Sequence, residues 1–246
     1  MKRAFGIVSL AFGVLLLSAP SRSLPTTPGS SLHRATAAGT IGGVLDTAES
    51  RASDGESAAE VRRKIHDDEA GTYIGEILLE RDSAIVRWPD GQPPLTVWIQ
   101  PWSHVADFNP AFVDSVQAAF RIWDQVGTSV HFVFVRDSAD AQVHVHWIDH
   151  FDQPISGRTK WARDDSWAIT EANIVLAVHH NAGATLDEDS MKALALHEIG
   201  HVMGLDHTTD DMSIMAPRVR VRSLADEDRA TVRLLYELPV GPIPRS

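Results

Sequence analysis

One stretch constrains this chain more than any other. It is His197-Glu198-Ile199-Gly200-His201-Val202-Met203-Gly204-Leu205-Asp206-His207, followed by Ser213-Ile214-Met215-Ala216-Pro217. Residues four apart share one face of a helix, so His197 and His201 present two imidazoles to a single point. Glu198 then stands beside that point without having to coordinate there. Gly204 takes a positive φ at no steric cost, so the helix stops and the chain turns back. The reversal returns His207 as a third nitrogen. Three protein ligands on Zn²⁺ leave the fourth position for water, the ligand count of a catalytic site rather than a structural one. The chain holds 12 His and 16 Gly among 246 residues. At those frequencies all five fixed positions coincide by chance in about one chain in ten thousand.

Composition narrows the remaining classes. The length suits one domain with appendages. A net charge of −11 argues against nucleic-acid binding, which wants a basic patch. No cysteine is present, so there is neither a disulfide framework nor a thiolate ligand.

Residues 1–23 read as a signal peptide, with a basic start at Met1-Lys2-Arg3, an apolar run at 4–19 and small polar residues after Pro20. Cleavage after Ser21 or Ser23 fits equally, and an uncleaved anchor is the alternative. The expected location is secreted, extracellular or periplasmic. Residues 24–84 read as a disordered linker or a propeptide, because 24–60 is poor in large apolar side chains. As a propeptide it would offer Asp46, Asp54, Asp67 or Asp68 to the metal; as a tether it would do nothing there. A short helix is expected near 58–68, and one or two edge strands within 73–88.

Residues 85–240 carry the expected catalytic domain, and 241–246 a tail. Leu95-Thr96-Val97-Trp98-Ile99 alternates and reads as a strand. Asn109-Pro110 caps an amphipathic helix with Val113, Val116, Phe120 and Trp123 inward, ended by Gly127. Strands follow at 131–135, 141–148, 159–163 and 172–178, the last well buried. His144 and His146 share one strand face, either as metal ligands or as the exposed side of a half-buried strand. His179 and His180 are expected on an exposed loop. Asp187 opens the helix that carries the motif, and Ser223 with Asp226 suggests a capping box before a last helix that turns Val232, Leu235 and Tyr236 inward. This order of elements suggests an α+β domain.

The motif and its following methionine resemble the metzincins, and within them the matrixins, the matrix-metalloproteinase type, in a short bacterial-type form. Met215 lies eight residues after His207, and Met215-Ala216-Pro217 is similar to the family's Met-Tyr-Pro. Residues 112–123 and 224–236 are similar to its first and last helices. The resemblance implies a zincin-like fold: a twisted, mostly parallel sheet with an antiparallel edge strand, two long helices and a C-terminal helix. It implies a zinc endopeptidase acting on proteins or peptides, with His197, His201 and His207 on the metal, Glu198 as general base and Met215 as an apolar floor. Pro217 and Val219 would wall the substrate pocket, with Val219 where the family usually has Tyr. The family's propeptide cysteine switch is missing. The same resemblance places a structural zinc near His150-Phe151-Asp152, yet the next two strands offer no histidine, so that zinc lacks two of its ligands; one catalytic zinc is expected, without a structural zinc or calcium. Asp228 matches an aspartate that receives a trimmed N-terminus; otherwise it is a surface carboxylate. A monomer without nucleic-acid or membrane partners is expected. The alternative is a non-catalytic, zinc-dependent peptide-binding protein of the same fold.

Overall fold

A computed structural model describes residues 57–181 and 183–243, together with the backbone of residues 12 and 13. Asp46, Asp54 and most of the expected signal peptide lie outside the described residues. In chain order the elements are β1 (Phe12–Gly13), α1 (Ala58–Asp68), α2 (Ile74–Glu80), β2 (Ala84–Ile85), β3 (Leu95–Ile99), α3 (Ala111–Asp124), β4 (Phe132–Phe134), β5 (Val143–Ile148), β6 (Gly157–Arg163), β7 (Ile169–Ala177), α4 (Glu188–Val202), α5 (Asp226–Glu237) and β8 (Gly241–Pro242).

The main sheet runs β1-β6-β7-β5-β3-β4. Its four strands from β7 to β4 pair in parallel, and β6 pairs antiparallel with β7. This is the mostly parallel α+β sheet with an antiparallel edge that the resemblance implies. Alternation explains which face is covered. Leu95, Val97, Val143, Val145, Ala172, Ile174 and Leu176 are fully buried, while the residues between them are at most half-buried. The expected burial of the whole of β7 therefore holds for one face only. His144 and His146 lie on the open face, stacked 6.2 Å apart and beside Trp98. Burial, and then His144, lowers the His146 pKa.

The covered face packs against α3 and α4. Phe112, Val116, Phe120 and Trp123 line the inner side of α3; the expected Val113 lies beside them, half-buried. The N-cap is Pro110, one residue later than expected, and the Asn109 side-chain Oδ1 accepts from the Ala111 N–H at 3.0 Å just before the helix. The Trp123 indole donates to the Leu196 carbonyl of α4 at 2.9 Å. Removing such a buried, hydrogen-bonded ring would cost about 3–5 kcal/mol.

Residues 57–84 depart from a plain linker. The helix expected at 58–68 is present, opened by a capping box between Ser57 and Glu60. Residues 74–80 form a helix where strands were expected. Ile74, Ile77 and Leu78 lie three and four apart, a helical spacing that a short apolar run does not distinguish from alternation. Ile74 and Ile77 are fully buried in the same core as the sheet. At the other end Gly241–Pro242, expected as tail, pairs with Ala84–Ile85.

The last helix starts differently from the expected Ser223–Asp226 box. Ala225 is its N-cap, and Asp228 accepts the Ala225 N–H at 2.7 Å. Asp228 is fully buried, so it is not a surface carboxylate. It also accepts from Ser213 Oγ, the Ile214 N–H and the Tyr73 hydroxyl. A carboxylate offers about four acceptor sites, and four donors from this chain fill them, which leaves none for the terminal ammonium that the resemblance suggested.

His179 is not on an open loop. Its Nδ1 lies 2.7 Å from Asp149 Oδ1 and its Nε2 3.2 Å from Asp107 Oδ2. The imidazolium thus ties the 101–109 loop to the end of β7. Its pKa is raised, first by Asp107 and then by Asp149, against burial.

Asp228→Ala should lower unfolding free energy by about 3 kcal/mol or more, because several buried donors lose their acceptor; a denaturant midpoint within error of wild type would contradict this role. A raised His179 pKa means that its contribution is present below the unfolded value of 6.5 and lost as pH rises through the folded one. Proton NMR should place its midpoint above 6.5, with exchange protection of residues 101–109 falling across it. A midpoint below 6.5 would refute the bridge.

Candidate metal centre

Helix α4 is organised to aim two of the three histidines. Asp187 caps it by accepting from the Ser190 N–H at 2.7 Å, and Glu188 and Asp189 place negative charge in its first turn. From Met191 to Val202 nearly every side chain is buried, so the helix cannot rotate without unpacking. The Trp88 indole donates to the Val202 carbonyl at 2.8 Å, which satisfies a terminal acceptor. The helix then ends in a Schellman turn: the Gly204 N–H reaches the His201 carbonyl and the Leu205 N–H reaches that of Gly200. Gly204 has φ +95° and a Cβ there would overlap the Val86 carbonyl, so both backbone and space require glycine.

This turn brings His207 back. His201 Nε2 and His207 Nε2 lie 3.2 and 3.3 Å from His197 Nε2. Three nitrogens bound tetrahedrally to one Zn²⁺ at about 2.0–2.1 Å stand about 3.3 Å apart, so the spacing fits that ion. Orientation comes from the other ring nitrogens. His197 Nδ1 is 2.7 Å from the Ile214 carbonyl and His201 Nδ1 is 2.9 Å from that of Leu205. Carbonyls accept only, so each Nδ1 carries the proton and each Nε2 keeps its lone pair for the centre. Burial pushes the His197 pKa down to about 3, helped by His207, and lowers those of His201 and His207 as well. Neutral imidazoles are what a metal requires.

Glu198 sits on α4 next to His197 and is buried. Thr159 Oγ1 lies 2.6 Å from Glu198 Oε2 and 3.0 Å from the Glu198 carbonyl. Burial pushes the carboxyl pKa up to about 8, while Thr159 and then Arg158 act the other way. A cation in the triad would also lower it. Met215 is fully buried under α4, where a Cβ on Gly200 would overlap its sulfur. It approaches the helix closely because residue 200 has no side chain.

A cavity beside α4 is lined by Ile155, Leu186, Leu194 and Val219, among others, with Arg218 and Arg222 also on its wall. Val219 is among the residues that line it. Pro217 is exposed and is not among the lining residues. Among the described residues the triad is the one cluster of three or more potential metal ligands. His150 Nδ1 pairs with Asp149 Oδ2 at 2.7 Å. Asp67 and Asp68 lie at the end of α1 and are not part of the triad cluster. Thr159 and Asp206 escaped the sequence reading; Asp206 lies inside the motif, but nothing local marks it as paired.

Comparison with known proteins agrees with this geometry. The sequence model of the matrixin family matches residues 94–237. Matrix metalloproteinase-C of Caenorhabditis elegans is 26% identical over 165 residues, covering 60% of this chain and 26% of that protein. Metalloendoproteinase 1 of Glycine max is 25% identical over 175 residues, covering 61% and 52%. Neutrophil collagenase of Homo sapiens is 24% identical over 152 residues, covering 52% and 29%. The chain therefore spans about half or less of the length of these relatives. A family match over more than half of its residues, one that includes the converging histidine triad, makes this chain a member of the matrixins.

Proposed function

We propose that this protein is a secreted zinc endopeptidase in which Glu198 is the general base. The observation that carries the reading is a buried carboxylate next to three converging Nε2 atoms, turned by Thr159. His197, His201 and His207 would hold the ion. A bound Zn²⁺ supplies Lewis acidity, lowering the pKa of water to about 7 and polarising a carbonyl. Thr159 occupies Oε2, so Oε1 is the oxygen that takes a proton from the attacking water. The same oxygen then hands that proton to the leaving amine nitrogen. Burial on α4 keeps bulk water from competing for it.

Substrate recognition would use backbone as well as side chains. The outer edge of β6 pairs antiparallel with residues 12–13, so its backbone groups can take an extended chain, the mode of strand addition. Pairing gives affinity with little sequence preference. The cavity at Ile155, Leu194 and Val219 would take an apolar side chain just after the scissile bond. Secretion rests on the basic start and apolar run of residues 1–19. Among the described residues no helix is long and apolar enough to cross a membrane.

A fluorogenic peptide assay with and without chelator tests the reading. Cleavage should stop on chelation and return with zinc. Glu198→Gln should keep its zinc and its fold while turnover drops at least about a hundredfold, the lower end of general acid–base contributions. Zinc binding without any cleavage by the wild type would favour the peptide-binding alternative. A second variant probes placement rather than chemistry. A Cβ at Gly157 would overlap Glu198 Oε1, so Gly157→Ala should displace the carboxylate and lower kcat about a hundredfold with zinc retained. Unchanged kcat would show that the carboxylate position is not critical.

A further inference from the structure

Two side chains, Glu76 of α2 and Arg81 at its end, reach the loop that follows the metal helix, and Tyr73 before α2 reaches α5. Glu76 Oε1 accepts from Thr208 Oγ1 at 3.0 Å, and its Oε2 accepts from the Thr209 N–H at 2.9 Å. Arg81 Nη2 donates to Asp206 Oδ1 at 2.7 Å, with Nε beside Oδ2. Arg81 also donates to the Val86 carbonyl and stacks 5.5 Å over Trp161. Tyr73 gives its hydroxyl to Asp228 and its N–H to Thr231 Oγ1. Glu76 and Arg81 between them grip the neighbours of His207 on both sides: Asp206 before it, Thr208 and Thr209 after it.

We propose that residues 69–85 are a permanent brace of the metal centre rather than a removable propeptide, and that Glu76 and Arg81 are positioning residues for His207. The proposal rests on the triad being the metal site. His197 and His201 are aimed by the backbone of α4. His207 lies beyond the helix, on a turn whose position α4 alone does not set. Two opposite charges from upstream fasten that turn from either end. Release of the segment would leave the buried Asp206 carboxylate without its cation, which proteins tolerate poorly. It would also uncover Ile74 and Ile77, which belong to the common core, and take the Tyr73 hydroxyl from Asp228. A segment built to leave would make contacts that water can replace; these contacts are mostly buried.

The test uses the full-length chain. Mass spectrometry of the purified, zinc-loaded protein should find a mature N-terminus at or before residue 69. Zinc affinity is then read by competition with a chromophoric chelator for the wild type, Glu76→Ala and Glu76→Gln. Glu76→Ala should bind zinc about tenfold more weakly, the lower end of what outer partners of metal ligands contribute. The thermal midpoint of its apo form should stay near wild type, because Glu76 is only half-buried. Glu76→Gln should recover part of the affinity, since its carbonyl oxygen still accepts from Thr209. Thr208→Val removes the hydroxyl that donates to Glu76 and accepts from the Asp210 N–H, and it serves the same comparison if Glu76→Ala does not fold. Wild-type affinity in Glu76→Ala or Thr208→Val, or a zinc-loaded mature form beginning within 70–85, would overturn the brace alone. A wild-type protein that binds no zinc would overturn the proposed function with it.

Discussion

Three neutral imidazoles must meet at one point, and this requirement orders the rest of the molecule. Two come at no extra cost in geometry, because helical periodicity stacks His197 over His201. The third needs a sharp reversal, a carbonyl for each Nδ1–H of the helical pair, and a floor that the helix can approach. The Schellman turn at Gly204, the carbonyls of Leu205 and Ile214, and Met215 against Gly200 meet these needs. Every one of them lies within the twenty residues that begin at His197, so the centre is written compactly along the chain.

Rigidity comes from elsewhere. Asp228 collects Ser213 and Ile214 from the methionine turn, Ala225 from the start of α5 and Tyr73 from the N-terminal segment. One buried carboxylate thereby joins three distant parts of the chain beneath the metal centre. Arg87 plays a similar part at the other end. Fully buried, it donates to the carbonyls of Trp88 and Leu238 and closes the C-terminal segment over the core. Such groups are tolerable only when each hydrogen-bonding site is filled, and here their partners come from loops far apart in the chain.

The sheet serves the site through its covered face. Thr159 on β6 points at Glu198, and Gly157 two residues earlier leaves room for the carboxylate. Residues two apart on a strand share a face, so one strand both admits the base and turns it. The outer edge of the same strand pairs only with the two residues of β1, at Arg158 and Thr159. Unpaired strand edges are a hazard in most folds, and here β1 covers part of this one.

The chain alone placed the three histidines, Glu198 beside them, the reversal at Gly204, the amphipathic helix after Asn109 and most strands, since each follows from short-range spacing. It misled where spacing was ambiguous: Ile74, Ile77 and Leu78 fit a short helix as well as a strand, and the residues after 240 looked free until β2 paired with them. Only the tertiary structure decided what holds the centre in place. Arg81 and Asp206 are 125 residues apart and Tyr73 and Asp228 are 155 apart, beyond the reach of any local periodicity. Nothing in an isolated Asp marks it as buried and fourfold bonded, because burial and partners come from folding and not from the residue itself.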